Sequence, residues 1–158
     1  MVPFILLLVV FVGLSVLPAA KLQSPRARMR IALAAMFVFT GATHFAATES
    51  MLQMLPDALP MRLEGVYLSG VAQFAGAVGL LIPWLRRAAG LGLAAMLIAV
   101  FPANINVALN NLQIELLPTD PFMQWARLLV QPVLIVLVIW ASTPERRTSA
   151  VQVATARA

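Results

Sequence analysis

Five long apolar stretches, separated by short polar segments, constrain the fold of this chain more than any other feature. A helix that crosses the roughly 30 Å hydrocarbon core of a bilayer needs about 20 apolar residues. The candidate stretches are residues 2–20, 30–47, 64–83, 88–110 and 123–142. Apolar residues make up 61% of the 158 positions and charged residues only 11%, against about a quarter charged in soluble domains. We therefore expect an all-α membrane protein, a polytopic bundle of five transmembrane helices that forms one domain over residues 1–142.

The first apolar stretch has two interpretations. It ends in small residues at "LPAAK", as the cleavage site of a signal peptide does. However, it lacks a positively charged start, and its apolar run is longer than the apolar core of a typical signal peptide. We expect this stretch to remain in the protein as an N-terminal transmembrane helix.

The distribution of basic residues predicts the orientation of the helices. Nine of the eleven Lys and Arg residues follow the first or third stretch or lie in the tail, residues 143–158. Positive charge marks the cytoplasmic side of a membrane protein. Only Arg62 and Arg127 fall on the other side. We therefore expect an outside N-terminus and a cytoplasmic C-terminus, with the tail as a disordered cytoplasmic segment because it is polar and of low complexity.

Polar side chains from four of the stretches gather at one end of the predicted bundle. They are Thr40 and His44; Glu64, Tyr67 and Gln73; Asn104, Asn106 and Asn110; and Trp125, Arg127 and Gln131. Because successive helices alternate in direction, these positions share one depth on the predicted outer side. Polar groups in membrane helices usually face the bundle interior or a wet cavity. We expect an outward-facing polar pocket, with His44 and Glu64 as candidate catalytic groups and the other nine as ligand-binding groups.

Two prolines and one loop favour a cavity at that end. Pro102 removes the helical donor of the Ile98 carbonyl and Pro132 that of the Leu128 carbonyl, and a proline inside a helix bends it. The loop "ESMLQMLPDALPMRLEG" is too short to cross a membrane and too apolar to remain in water. We expect it to lie in the outer interface as a cover over the bundle; a connecting loop that dips into the headgroup layer is the open alternative.

Simpler interpretations of the same residues remain open. Amide side chains in membrane helices often serve only as hydrogen bonds between helices, and a lone histidine is often structural. Arg127 needs either a carboxylate partner or an anionic ligand. The small residues Gly90 and Gly92 could pack against a second copy of the chain in a homodimer.

The composition argues against several kinds of site. There is no cysteine and only one histidine, so the chain has no convincing zinc or haem site. No glycine-rich phosphate loop follows a strand, and the basic residues do not interleave with aromatic residues as in a nucleic-acid surface. We therefore expect no metal, no nucleic-acid partner and no cofactor held by the chain itself, with a bound quinone as the remaining candidate.

Four segments over residues 30–140 resemble the DoxX-like family of small bacterial membrane proteins. They are "FVFTGATHF", "VYLSGVAQFAGAVGLLIP", "LRR" and "GLAAMLIAVFPANINVALNN". The resemblance implies a four-helix core from the second to fifth stretches, with the first stretch as an extra helix, in a bacterial cytoplasmic membrane. Relatives in that family include the small subunit of a thiosulfate:quinone oxidoreductase, and the fold resembles that of the EXPERA group, whose sterol isomerases move protons with carboxylate and histidine side chains. DoxX-like sequences often carry Glu where this chain has Gln73, and an amide cannot exchange a proton near neutral pH.

Three functions are compatible with these patterns. The leading hypothesis is a pocket for a lipophilic molecule, quinone-like or isoprenoid-like, in a component of a membrane redox system that works with a redox partner subunit. The second is a stand-alone enzyme that performs isomerase-type or hydratase-type chemistry, with His44 as base and Glu64 either as acid or as the group that orients the imidazole. The third is an assembly subunit without a ligand.

Overall fold

All regular secondary structure in the described part of the chain is helical. A computed structural model describes residues 2–16, 24–56, 59–110, 112–114 and 120–144. The helices are α1 (Val2–Val16), α2 (Pro25–Ala46), α3 (Thr48–Met54), α4 (Arg62–Leu81), α5 (Arg86–Leu109) and α6 (Pro121–Ser142). No strand occurs within these residues, so the all-α class is confirmed there. Residues 17–20 of the first predicted stretch and residues 145–158 of the predicted tail lie outside the described residues.

Three of the helices are long and apolar enough to cross a membrane, namely α2, α5 and α6. The apolar helix α1 has only 15 described residues, which is short for a span. Helix α4 has 20 residues but carries Arg62, Glu64 and Gln73, which lower its hydropathy. The structure therefore supports a membrane protein with three candidate spans among the described residues.

Helix α2 begins five residues before the predicted start at residue 30. The Ser24 hydroxyl accepts a hydrogen bond of 3.2 Å from the Ala27 backbone N–H, and Pro25 occupies the first helical position. Both features are typical of a helix N-terminus. The prediction missed the cap because it treated the arginines after Ser24 as a loop, whereas they form the first two turns of α2.

We expect Ser24→Ala to lower the stability of the bundle by about 1 kcal/mol, because the Ala27 N–H loses its side-chain acceptor. Ser24→Asp keeps an acceptor at the same position and is the matched control. Thermal unfolding in detergent, followed by circular dichroism, measures both variants. Equal losses for Ala and Asp would show that the cap does not stabilise α2.

Four helices form the bundle and a fifth packs against it. Helix α2 contacts α4, α4 contacts α5, α5 contacts α6, and α6 returns to α2, whereas α1 packs mainly on α2. Large buried side chains fill one end of this ring, including Leu33 and Phe37 of α2, Leu80 of α4, Leu93 of α5 and Val138 of α6. Leu33 and Leu93 come from the first halves of α2 and α5, Leu80 and Val138 come from the second halves of α4 and α6, and Phe37 lies just past the middle of α2. The packed core therefore lies mainly opposite the predicted polar end.

Arginine side chains from the start of α2 close the packed end of the bundle. Buried Arg30 donates a 3.1 Å hydrogen bond to the Ala141 carbonyl near the end of α6. Arg26 donates to the Pro144 carbonyl at 3.1 Å and lies over the Trp140 ring. The carbonyls at a helix C-terminus lack intrahelical donors and carry partial negative charge, so these contacts join the two helix ends.

Candidate functional site

A cleft of about 590 Å³ opens at the other end of the bundle, beside α3. Its wall is mostly apolar and includes Val2, Pro3 and Phe4 from the start of α1. Five of the eight methionines of the chain contribute, namely Met36, Met51, Met54, Met61 and Met96. Methionine is unbranched and adapts to different apolar shapes, so this wall suits a lipophilic molecule.

Most of helix α3 lies in the loop that was expected to cover the bundle. The sequence pattern did not indicate this helix. Met51, Met54 and Leu55 from this segment line the cleft. The Asn106 amide of α5 donates a 3.2 Å hydrogen bond to the Met54 carbonyl. Asn110 in turn donates to the Asn106 side-chain oxygen at 2.7 Å. Asn106 therefore holds the end of α3 against α5, and Asn110 binds the Asn106 side chain from the end of α5.

One polar network joins α2 and α4 at the cleft. The Thr40 hydroxyl donates to the Gln73 side-chain oxygen, and the Gln73 amide lies 3.5 Å from Nε2 of His44. The helices approach closely because two facing positions are glycine. A Cβ on Gly41 would lie 3.2 Å from the Gly70 carbonyl, and a Cβ on Gly70 would lie 2.6 Å from the Phe45 ring. The short separation lets Thr40 and His44 reach Gln73.

The contacts of His44 define its neutral tautomer. Its Nδ1 lies 2.8 Å from the Thr40 carbonyl oxygen, and a carbonyl can only accept, so Nδ1 carries the proton. Nε2 of the neutral ring is then an acceptor, which matches the donating amide of Gln73. His44 lines the cleft, so the cleft has a basic imidazole nitrogen on the α2–α4 side.

A second polar network joins α5 and α6 at the cleft. Arg127 donates to Asn104 Oδ1 at 3.2 Å, and Asn104 Nδ2 donates to Gln131 Oε1 at 2.9 Å. Gln131 Nε2 donates to the backbone carbonyl of Leu97. That carbonyl is the neighbour of the Ile98 carbonyl, which Pro102 leaves without a helical donor.

The ends of this second network fix the orientation of both amides. The guanidinium of Arg127 can only donate, so Asn104 must turn its oxygen toward it. The Leu97 carbonyl can only accept, so Gln131 must turn its nitrogen toward it. The three hydrogen bonds therefore run in one direction, from Arg127 to the backbone of α5, and hold the Arg127 side chain at the cleft wall.

The structure brings six of the predicted site residues to the cleft and places five elsewhere. Those that line it are Thr40, His44, Gln73, Asn104, Arg127 and Gln131. Asn106 binds the end of α3, and Asn110 binds Asn106. Glu64 and Trp125 are exposed, and exposed Tyr67 stacks on Phe45 with ring centroids 5.6 Å apart. Within the described residues, Glu64 is therefore not placed beside His44, although the roles predicted for all eleven residues remain predictions.

Several residues that line the cleft were not predicted from the sequence. Met36 and Met96 were not among the predicted site residues, and Arg62 was considered only as a basic residue on the outer side, yet all three line the cleft. The abundance of methionine was the available signal. Among the described residues, no group of three histidine or acidic side chains is placed to hold a metal ion.

Comparisons with known proteins identify a family but no characterised relative. The model of a family described as a domain of unknown function (DUF8561) matches residues 33–143, more than half of the chain. No curated protein and no solved structure matches the chain. The matched range includes α2 from Leu33 onward and all of α3 to α6, and it therefore contains both polar networks.

Proposed function

We propose that this chain, which belongs to the DUF8561 family, binds a lipophilic small molecule in the cleft between its helices. The observation that carries the proposal is the placement of two separate polar networks, one from α2 and α4 and one from α5 and α6, on the wall of one mostly apolar cleft. Small-molecule sites have this character: an apolar wall, a few fixed polar groups, and volumes of about 300–1,000 Å³. A volume of about 590 Å³ falls within that range.

The chemistry of the cleft favours a molecule with an oxygen-bearing head and an apolar body. Arg127 offers N–H donors, and Gln73 has a second amide N–H beyond the one directed at His44. Quinone-like and isoprenoid-like molecules combine acceptor oxygens with long apolar parts. We place the protein in a membrane redox system with a quinone as ligand and a redox partner subunit, in line with its resemblance to DoxX-like proteins.

The proposed setting is a bacterial inner membrane, which the chain crosses five times. Helices α1 and α4 would cross together with α2, α5 and α6, with the N-terminus outside and the C-terminus in the cytoplasm. The excess of basic residues in the segments after the first and third stretches supports this orientation. The cleft would then open toward the outer side, within reach of lipophilic molecules in the bilayer.

One observation favours a second candidate function, an enzyme that moves a proton on the bound molecule. Hydrogen bonding of Nδ1 to the Thr40 carbonyl fixes the His44 ring and leaves Nε2 as the basic nitrogen at the cleft wall. A general base needs a fixed orientation and a free lone pair, so the Gln73 amide, 3.5 Å from Nε2, would have to turn away when the substrate binds. Glu64 does not line the cleft, so the acid would have to come from another group or from water.

We expect a lipophilic molecule to co-purify with the protein in mild detergent at about one per chain. Native mass spectrometry and analysis of the extract measure its amount and identity. Gln73→Leu removes the amide that joins Thr40 and His44 and is expected to reduce occupancy about tenfold, as loss of about 1.4 kcal/mol of binding does. Gln53→Leu, at an exposed position on α3, is the matched control and is expected to leave occupancy unchanged.

Two results would contradict the proposal. A protein that emerges without any bound molecule would favour the assembly-subunit hypothesis, in which the networks only join helices. Equal occupancy in Gln73→Leu and wild type would place the molecule outside the cleft. If a molecule is found, its conversion in a single turnover by wild type but not by His44→Ala would favour the enzyme over the binding component.

A further inference from the structure

The ionisable side chains on the cleft wall are all basic in the described part of the chain. His44, Arg62 and Arg127 line the cleft, and no described aspartate or glutamate does. Arg62 lies at the start of α4 and donates to the Leu55 carbonyl at 3.5 Å, near the segment that covers the cleft. Low-dielectric walls strengthen the field of such charges. His44 is neutral in the tautomer described above, so the positive potential on this wall comes from its arginines, chiefly Arg127.

Arg127 has unused hydrogen-bonding capacity. Its side chain is half-buried, and the described residues give it one hydrogen bond, to the neutral amide oxygen of Asn104. A guanidinium has five N–H donors and no acceptor. Within the described residues it makes no ion pair. A charged side chain at membrane depth is costly unless a partner of opposite charge or water compensates it.

The second polar network does not compensate the charge of Arg127. The Asn104 oxygen accepts one hydrogen bond from the guanidinium and the Gln131 oxygen is used by the Asn104 N–H, so the network offers Arg127 one neutral acceptor and no negative charge. The network instead holds the guanidinium beside the apolar wall. This arrangement matches the recognition of carboxylate and phosphate by arginine, in which two parallel N–H groups bind two oxygens.

We propose that the cleft selects a lipophilic molecule whose head is an oxygen anion, either a carboxylate or a phosphate, and that Arg127 binds this head. The apolar tail lies along Met36, Phe37 and Met96. This inference rests on the proposed function, since it requires the cleft to be a binding site. It adds that the head carries a negative charge, so a neutral molecule of the same length binds more weakly.

The test uses three photoreactive probes with the same diazirine-bearing alkyl tail and different heads: a carboxylate, a phosphate and a neutral alcohol. The full chain is placed in lipid discs made of zwitterionic lipid, irradiated with each probe, and measured by intact mass, with peptide mapping to locate the label. We expect the anionic probes to label cleft residues at least about tenfold more than the alcohol. A hydrogen bond between two charged groups strengthens binding by at least about this factor. The head that labels more strongly identifies the source of the anion.

Four variants test the role of Arg127. Arg127→Gln keeps a donor for Asn104 but removes the charge. We expect the anionic probes and the alcohol to label this variant about equally, while labelling by the alcohol persists. Arg127→Lys keeps the charge and is expected to keep a preference. Arg87→Gln, at an exposed position at the opposite end of the bundle, should retain the full preference. Arg62→Gln removes a positive charge from the cleft wall without removing Arg127. It is expected to lower the anion preference only partly, because Arg62 attracts the head through its charge but does not bind it.

The outcomes separate this inference from the proposed function. Equal labelling of the cleft by all three probes in the wild type would overturn the anion preference and leave the lipophilic site intact. An unchanged anion preference in Arg127→Gln would overturn the assignment of the head to Arg127. Absence of any label on cleft peptides would overturn both, and labelling by the alcohol in each variant reports that its cleft has formed.

Discussion

Alanine at Gly90 is expected to lower the stability of the bundle by about 1–3 kcal/mol, whereas alanine at Gly92 on the same helix is expected to be neutral or mildly stabilising. A Cβ on Gly90 would lie 2.3 Å from both Cβ and Oγ of Ser142 in α6. Ser142 Cβ is attached directly to the backbone and cannot rotate away, so α5 and α6 would have to separate. A Cβ on Gly92 meets nothing within 4 Å.

Thermal unfolding of both variants in the same detergent measures this difference. The double variant Gly90→Ala/Ser142→Gly provides a rescue, because it removes the Ser142 atoms that the new Cβ would meet and leaves the Val138 carbonyl at an ordinary 3.5 Å. Equal stability of the Gly90 and Gly92 variants would show that the helices are not in such close contact. Since Gly90 is covered within the chain, Gly92 is the better candidate for the predicted homodimer contact.

The sequence predicted which segments are helical and which helix ends carry polar groups. Apolar runs of about 20 residues located α2, α4, α5 and α6 to within a few residues, apart from the early start of α2 at Pro25. Alternation of helix direction then placed Thr40, Gln73, Asn104 and Gln131 at one end of the bundle, where they line the same cleft. The length of an apolar run and the positions of polar residues within it were sufficient for these two predictions, because both can be taken from one segment without knowing its neighbours.

The pairing of the polar residues could not be predicted, because it depends on which helices are neighbours. Asn104 and Asn106 both lie on α5, yet Asn104 binds Gln131 of α6 while Asn106 binds the Met54 carbonyl at the end of α3. Asn111 lies outside the described residues. The choice is set by α5 having α6 on one side and α3 on another. Helix α3 was missed for a related reason, since its seven residues are too few for a periodic signal.

Leucine at Gln131 is expected to lower stability by about 2 kcal/mol, because the buried Leu97 carbonyl and an N–H of the partly buried Asn104 both lose this partner. Gln131 is 4% exposed, and its loss frees the Leu97 carbonyl and an N–H of Asn104 at once. Interhelical hydrogen bonds in membranes average only about 0.6 kcal/mol, because the separated helices find other partners. A larger value is expected here because the Leu97 carbonyl lies next to the Ile98 carbonyl, which already lacks a helical donor since Pro102 has no N–H. Two neighbouring carbonyls of one helix turn would then each lack one hydrogen bond.

A double-mutant cycle with Asn104→Leu measures how far the second network acts as one unit. If Arg127, Asn104 and Gln131 depend on each other, the double variant is destabilised by less than the sum of the two single variants, with a coupling of about 0.5 kcal/mol or more. Steric trapping or reversible unfolding in mixed micelles provides the free energies. Strict additivity, or a loss near 0.3 kcal/mol for Gln131→Leu, would mean that the amides are independent contacts between helices and that Arg127 is not held in place by them.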